Sequence, residues 1–295
     1  MNARLRYATG CALALPLLLA GCSLFPTTRK LPVPKAPTIT QTVTPGDLVA
    51  QLNQRWQALN TLTATVEIQA SVIKSKEGTA KDYPTLRGHI LMRKPAMLRV
   101  VGQYLGIRFF DMASDGKEFT LSIPPQNKAI KGSNALKKKS ANALENMRPG
   151  FFFDAMAVRG LEPGDLYSVV ADTETVEDKT RKHLFIVPEY VLSISRPKPG
   201  SQQLTPVRVV TFNRDDLQPY QQDIYDSEGN LETQVFYSGY RTFDSGTFPS
   251  SIVIKRPVEE IQIVLTVENV TENQALKDDQ FVVTPSEGAV IQNLE

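Results

Sequence analysis

The stretch Ala64-Thr65-Val66-Glu67-Ile68-Gln69-Ala70-Ser71-Val72 alternates apolar and polar residues without a break. Side chains of a strand point to opposite faces in turn, so this period of two puts Ala64, Val66, Ile68, Ala70 and Val72 against a core and their neighbours toward water. Immediately upstream the period is helical: Leu48, Leu52, Trp56 and Leu59 share one face. They follow Thr44-Pro45-Gly46-Asp47, in which Thr44 suits the cap, Pro45 the first helical position and Asp47 the first turn. A short helix leading into a half-buried strand is the expectation.

Working outward, the same alternation recurs in Leu86 to Arg93, Met97 to Gln103, Arg108 to Ala113 and Glu118 to Ile123. The last two are joined by Ser114-Asp115-Gly116-Lys117, a hairpin signal. From Ser133 to Leu161 the text turns helical, first with Leu136, Leu144 and Met147 among lysines, then, after Pro149-Gly150, with Phe151, Phe152, Phe153, Met156 and Val158. Strand patterns resume at Tyr167 to Ala171, His183 to Val187, Val207 to Asn213, Tyr220 to Tyr225, Leu231 to Tyr240, Ser251 to Arg256 and Glu260 to Val267. Turn signals at short, regular intervals around one long connection predict a mainly β domain: an antiparallel sheet curled into a barrel, with a helical insertion over an opening.

The N-terminus reads as a targeting segment. Met1 to Arg6 carries two positive charges and no acid, Tyr7 to Ala20 is apolar apart from Thr9, and Leu19-Ala20-Gly21-Cys22 ends the run. The run is shorter than the about 20 apolar residues of a transmembrane helix. The site resembles the bacterial lipobox, which implies a signal peptide over residues 1–21, diacylglycerol on the Cys22 sulfur and a further acyl chain on its amine. A secreted protein with an incidental cysteine there is the alternative. Residues 22–45 hold Pro26, Pro32, Pro34, Pro37 and Pro45 and read as a linker, in which Leu24 to Pro45 at about 3.1 Å per residue could hold the domain up to roughly 60 Å from the lipid, less if coiled. Residues 46–295 form the domain, long for one but within reach of a single barrel.

Composition excludes several function classes. Removal of residues 1–21 takes Cys11 and, with Cys22 lipidated, leaves no thiol for disulfides, thiol catalysis or zinc. Losing Arg4 and Arg6 leaves 31 basic residues against 31 acidic ones, which argues against a general nucleic-acid binder. His89 and His183 are the only histidines and have no third ligand at metal spacing. No nucleophile elbow, phosphate loop or dinucleotide fingerprint is present, so no catalytic residue, metal or cofactor is expected. Asp111, Asp115, Asp223 and Asp226 suit turn or surface roles.

Several motifs, in order, resemble the LolA/LolB-like family, the carrier and the outer-membrane receptor that move bacterial lipoproteins across the periplasm. Arg99-Val100-Val101 followed by Gln103-Tyr104-Leu105-Gly106 is similar to the receptor's Asn-Pro-Leu-Gly loop, and the Met147 to Leu161 segment to its helical insertion. Tyr237-Ser238-Gly239-Tyr240 with Pro249 downstream is similar to its Tyr-Gly-Gly-Tyr and Pro. Arg93-Lys94-Pro95 and the closing Phe281 to Ile291 look more like the carrier, although carriers place Arg directly before the Pro and Lys94 holds that place here.

The resemblance implies an unclosed antiparallel β-barrel with helices covering its concave mouth, binding acyl chains without catalysis. It also implies anchorage at the periplasmic face of the outer membrane, which Ser23 after the lipidated cysteine suits, and exchange with a periplasmic carrier protein. The candidate acyl-binding residues are Val66, Ile68, Ile90, Met92, Val100, Phe119, Leu121, Phe152 and Met156. For any single one an ordinary core position is the commoner reading, since alternation reports burial and not what does the burying. Leu105 matches the receptor's protruding, membrane-inserting leucine, or packs down as loop leucines often do. Lys128, Lys131, Lys137, Lys138, Lys139 and Arg148 could face anionic lipid at about 1 kcal/mol each, although such runs are more commonly solvated helix faces. The rival to lipid handling is an assembly lipoprotein that docks proteins, its barrel filled by its own side chains; a hydrolase of envelope lipids or glycans comes third.

Overall fold

A computed structural model describes residues 40–74, 76–134, 149–177 and 184–294. The expected signal peptide, Cys11, Cys22, most of the linker, His183, the Leu136 to Met147 segment, the lysines 137–139 and Arg148 lie outside the described residues. Contacts group Pro37–Glu174 with Val187–Glu295 in one large unit. Of the smaller unit, residues 175–177 and 184–186 are described, as the ends of two strands.

The helix α1 (Pro45–Ala58) begins as the sequence predicts: Thr44 Oγ1 accepts from the Asp47 amide at 3.1 Å and Pro45 occupies the first position. It buries Leu48, Val49 and Leu52. The strand β1 (Thr61–Lys74) carries the alternation that opened the sequence, with Leu62, Ala64, Val66 and Ile68 buried and Glu67 and Gln69 exposed. β2 (Thr79–Asp82), β3 (Leu86–Arg93), β4 (Met97–Tyr104), β5 (Ile107–Ser114), β6 (Glu118–Ile123) and β7 (Lys128–Ser133) follow. The helix α2 (Pro149–Met156) interrupts the strands. β8 (Leu166–Glu177), β9 (Leu184–Pro197), β10 (Leu204–Asn213), β11 (Pro219–Tyr225), β12 (Leu231–Phe243), β13 (Gly246–Arg256), β14 (Ile261–Glu272) and β15 (Val290–Leu294) complete the order.

The sheet runs β15-β7-β6-β5-β4-β3-β1-β14-β13-β12-β11-β10-β9-β8, with β2 paired to β1 off this path. All pairings whose register is given are antiparallel except that of β15 with β7. The two ends of the path, β15 and β8, are not paired to each other, so the expected unclosed antiparallel sheet is the one observed. Pairing of β1 with β14 joins the two halves of the chain, from Leu62 opposite Glu272 to Val72 opposite Ile261.

Two helices cover one face of this sheet. α2 is apolar on nearly every side, and Phe151, Phe152, Phe153, Ala155 and Met156 enter the large core built on β1, β3 to β6 and β12 to β14. α1 packs on a second cluster with Tyr190, Leu192, Ile194, Val210 and Phe212 of β9 and β10. On the opposite face the C-terminal segment crosses β3 to β5. Arg93 donates to the Leu276 carbonyl at 3.0 Å, Arg99 to the Gln280 carbonyl at 2.9 Å, and Phe281 is buried beneath the Arg93 guanidinium. There Asp111, 2% exposed, takes two hydrogen bonds from Arg99 and lies 3.0 Å from Arg108. That corrects the turn or surface role expected of Asp111; Asp115 and Asp226 do cap turns.

Candidate functional site

Between α1, the C-terminal end of α2 and the strands β12 and β13 lies a cavity of about 430 Å³. Trp56 and Leu59 come from α1 and its cap, Met156 and Val158 from α2 and the residues after it, Tyr237 from β12 and Phe248 from β13. Its existence follows from how the helices sit. α2 fills the middle of the sheet's covered face and α1 the β9–β10 side, and the gap where their ends approach is closed by neither.

Trp56 is held at the rim by cations: Lys94 Nζ lies 4.5 Å from its ring centre and donates to the Trp56 carbonyl at 2.5 Å, while Arg159 stacks over Phe153. Lys94, at the place where carriers carry arginine, therefore restrains the C-terminal end of α1, and its burial lowers its pKa from the ordinary value. A minority of the lining side chains are polar, the charged Arg55 and Glu272 among them. The hydroxyl of Tyr237 accepts from Gln222, that of Tyr240 donates to the Pro219 carbonyl at 2.5 Å, and burial raises both pKa values, keeping the rings neutral. Glu272 also lines the cavity, and burial raises its carboxyl pKa.

All nine candidate acyl-binding residues are buried in the core beneath α2. Met156 lines the cavity and Phe119 borders a second hollow beside β15, whereas Val66, Ile68, Ile90, Met92, Val100, Leu121 and Phe152 are packed against one another and line neither. The residues that line it on the sheet side, Tyr237, Tyr240 and Phe248 among them, are outside that set of nine, although Tyr237 and Tyr240 bound the Tyr237-Ser238-Gly239-Tyr240 motif. The alternation of β12, with Val235 and Tyr237 both buried, was the available signal.

Leu105 projects into solvent. It is 86% exposed at the tip of the β4–β5 hairpin, flanked by Tyr104 at 47% and Ile107 at 69%. Tyr104 pairs with Ile107, leaving a two-residue turn in which Leu105 (φ 48°) and Gly106 (φ 82°) both adopt positive φ. Among the described residues, Lys128 and Lys131 of the expected basic cluster lie on β7, and no group of three acidic, histidine or cysteine side chains could hold a metal ion. No described helix is long and apolar enough to cross a membrane.

No protein-family model matches the chain, and no curated protein sequence matches it. Solved structures do. A LolA superfamily protein from Nitrosomonas europaea is 13% identical, with a TM-score of 0.47 over 82% of this chain and 99% of its own. A domain described as outer membrane lipoprotein-sorting, from Vibrio parahaemolyticus, is 12% identical, with a TM-score of 0.48 over 80% and 94%. A DUF1329 family protein from Desulfovibrio piger is 14% identical, with a TM-score of 0.45 over 80% and 95%.

Proposed function

We propose that this protein is a non-enzymatic lipid handler, anchored to the outer membrane through Cys22, that takes acyl chains of lipoproteins or other lipidated molecules into the cavity between α1 and α2. The observation that carries the reading is the cavity itself. Its volume of about 430 Å³ falls within the about 300–1,000 Å³ of small-molecule sites, and its walls are mainly apolar and aromatic. An acyl chain needs little else, since each buried CH₂ contributes about 0.8 kcal/mol and a 16-carbon chain about 12 kcal/mol.

The exposed Tyr104-Leu105-Gly106-Ile107 tip supports a transfer step in which the hairpin dips into the bilayer surface. Leu105→Glu is expected to reduce lipid transfer to acceptor vesicles severalfold and leave acyl binding unchanged; unchanged transfer would remove the hairpin from the mechanism. Native mass spectrometry of the chain isolated from the envelope tests the cavity. Co-purified acyl lipid supports the reading, and a ligand-free chain that also ignores fluorescent fatty acid overturns it.

One observation favours the docking rival. Phe151, Phe152 and Phe153 fill the middle of the covered face, so the protein's own side chains occupy the space assigned to cargo by the sequence pattern. A ligand-free chain that retains specific protein partners in envelope cross-linking would favour that rival.

A further inference from the structure

Behind the cavity wall lies a polar cluster that acyl binding alone leaves unused. Arg208 of β10 is 7% exposed, on the same side of its strand as Val210 and Phe212. Its Nη1 donates to the Arg159 carbonyl at 2.9 Å, while its Nε is buried without an acceptor. The two acids that act on it, Asp154 and Glu162, are each held by another arginine: Asp154 by Arg159 at 2.5 Å and Glu162 by Arg196 at 2.9 Å. Among the described residues Arg208 makes no ion pair. A guanidinium stays protonated even when burial works against its charge, so the fold keeps a buried cation with no ion pair of its own where an apolar residue would pack at lower cost.

Two further groups nearby lack partners. Gln222 of β11 is fully buried and donates from Nε2 to the Asp154 carbonyl and to the Tyr237 hydroxyl oxygen, both at 2.7 Å, but its Oε1 accepts nothing. The Tyr237 hydroxyl, which lines the cavity, has no acceptor for its own proton among the described residues. One charged donor and one neutral donor are therefore left over on either side of Gln222. Arg256, also buried, is no such case, because Glu232 and Glu259 lie 3.3 and 3.1 Å from it.

We propose that Arg208, with the Tyr237 hydroxyl, is the headgroup site of the cavity and takes the carboxylate or phosphate oxyanion of an acyl ligand. The inference rests on the acyl-binding reading and adds to it the chemical class of ligand. The oxyanion supplies the acceptor that Nε lacks, at the Nε–Nη2 edge that a planar guanidinium presents as a fork, while Nη1 keeps the Arg159 carbonyl.

Native mass spectrometry of the full chain released from detergent micelles tests this with palmitic acid, palmitoyl lysophosphatidic acid, hexadecanol and inorganic phosphate. Binding of palmitate or the lysophosphatidate at least about tenfold tighter than hexadecanol is expected, and which of the two prevails identifies the carrier of the oxyanion. Arg208→Met should abolish the preference while retaining hexadecanol, and Arg208→Lys should keep part of it. Equal binding of palmitate, lysophosphatidate and hexadecanol by the wild type overturns the headgroup site and leaves the acyl cavity standing, a comparison that needs no variant to fold. Phosphate bound without a chain, or a preference unchanged in Arg208→Met, also overturns it. Failure of all three acyl compounds to bind overturns both readings together.

Discussion

At the scale of single residues, Leu105 stands out because its local conformation and its exposure are both unfavourable for a leucine. The left-handed region costs a residue with a Cβ about 1–2 kcal/mol, and a two-residue hairpin turn with both φ values positive is best made by Asn-Gly. Leu105→Asn is therefore expected to raise the midpoint of thermal unfolding, by the equivalent of about 1 kcal/mol, while weakening adsorption to lipid vesicles. A variant that gains stability and keeps full vesicle adsorption would show that the leucine is incidental. Leu105 was legible as a candidate from its motif, but whether it protruded or packed down was not. The answer depends on the turn geometry, which leaves the side chain at the hairpin tip with nothing to cover it.

At the scale of elements, the outer face of β3 to β5 is held by a charged seam rather than an apolar one. Asp111 is bound by Arg99, which in turn grips the Gln280 carbonyl of the C-terminal segment. Asp111→Ala leaves the partly buried Arg99 uncompensated and should lower stability by about 3 kcal/mol, read from urea unfolding, with the C-terminal segment becoming the first site of proteolysis. Unchanged cleavage of that segment would mean that Phe281 and β15 secure it unaided. β15 and β7, the parallel pair at one end of the sheet, did not stand out in the sequence, since Lys128–Ser133 and Val290–Leu294 are short and show no clean alternation. The longer alternating strands β1, β3 and β4 did stand out, because one face of each is buried and the other is not.

At the scale of the whole molecule, the cavity ties binding to stability through Glu272. Burial raises its carboxyl pKa above the usual 4.5, so the folded state binds the proton more tightly than the unfolded chain does. Stability therefore falls as pH rises from 4.5 through the folded-state pKa and stays lower beyond it. Glu272→Gln should melt higher than the wild type at pH 7, with the difference shrinking toward zero below pH 4.5. A difference independent of pH would assign the effect to packing instead.

The mainly β character, the capped first helix, the interruption by a Phe-rich helix and the placing of Leu105 in a loop were all legible in the sequence. These are local properties: periods of two and 3.6, cap chemistry and turn residues act over a few positions. Only the tertiary structure decided which apolar residues face a cavity and which are filled in by α2. It alone buried Asp111 and Arg208 in such different company, one bound by two arginines and the other with no ion pair among the described residues. Burial partners come from elements far apart in the chain, such as the end of α2 and the strands β10, β11 and β12 that meet it, and periodicity records that a side chain points inward without recording what meets it there.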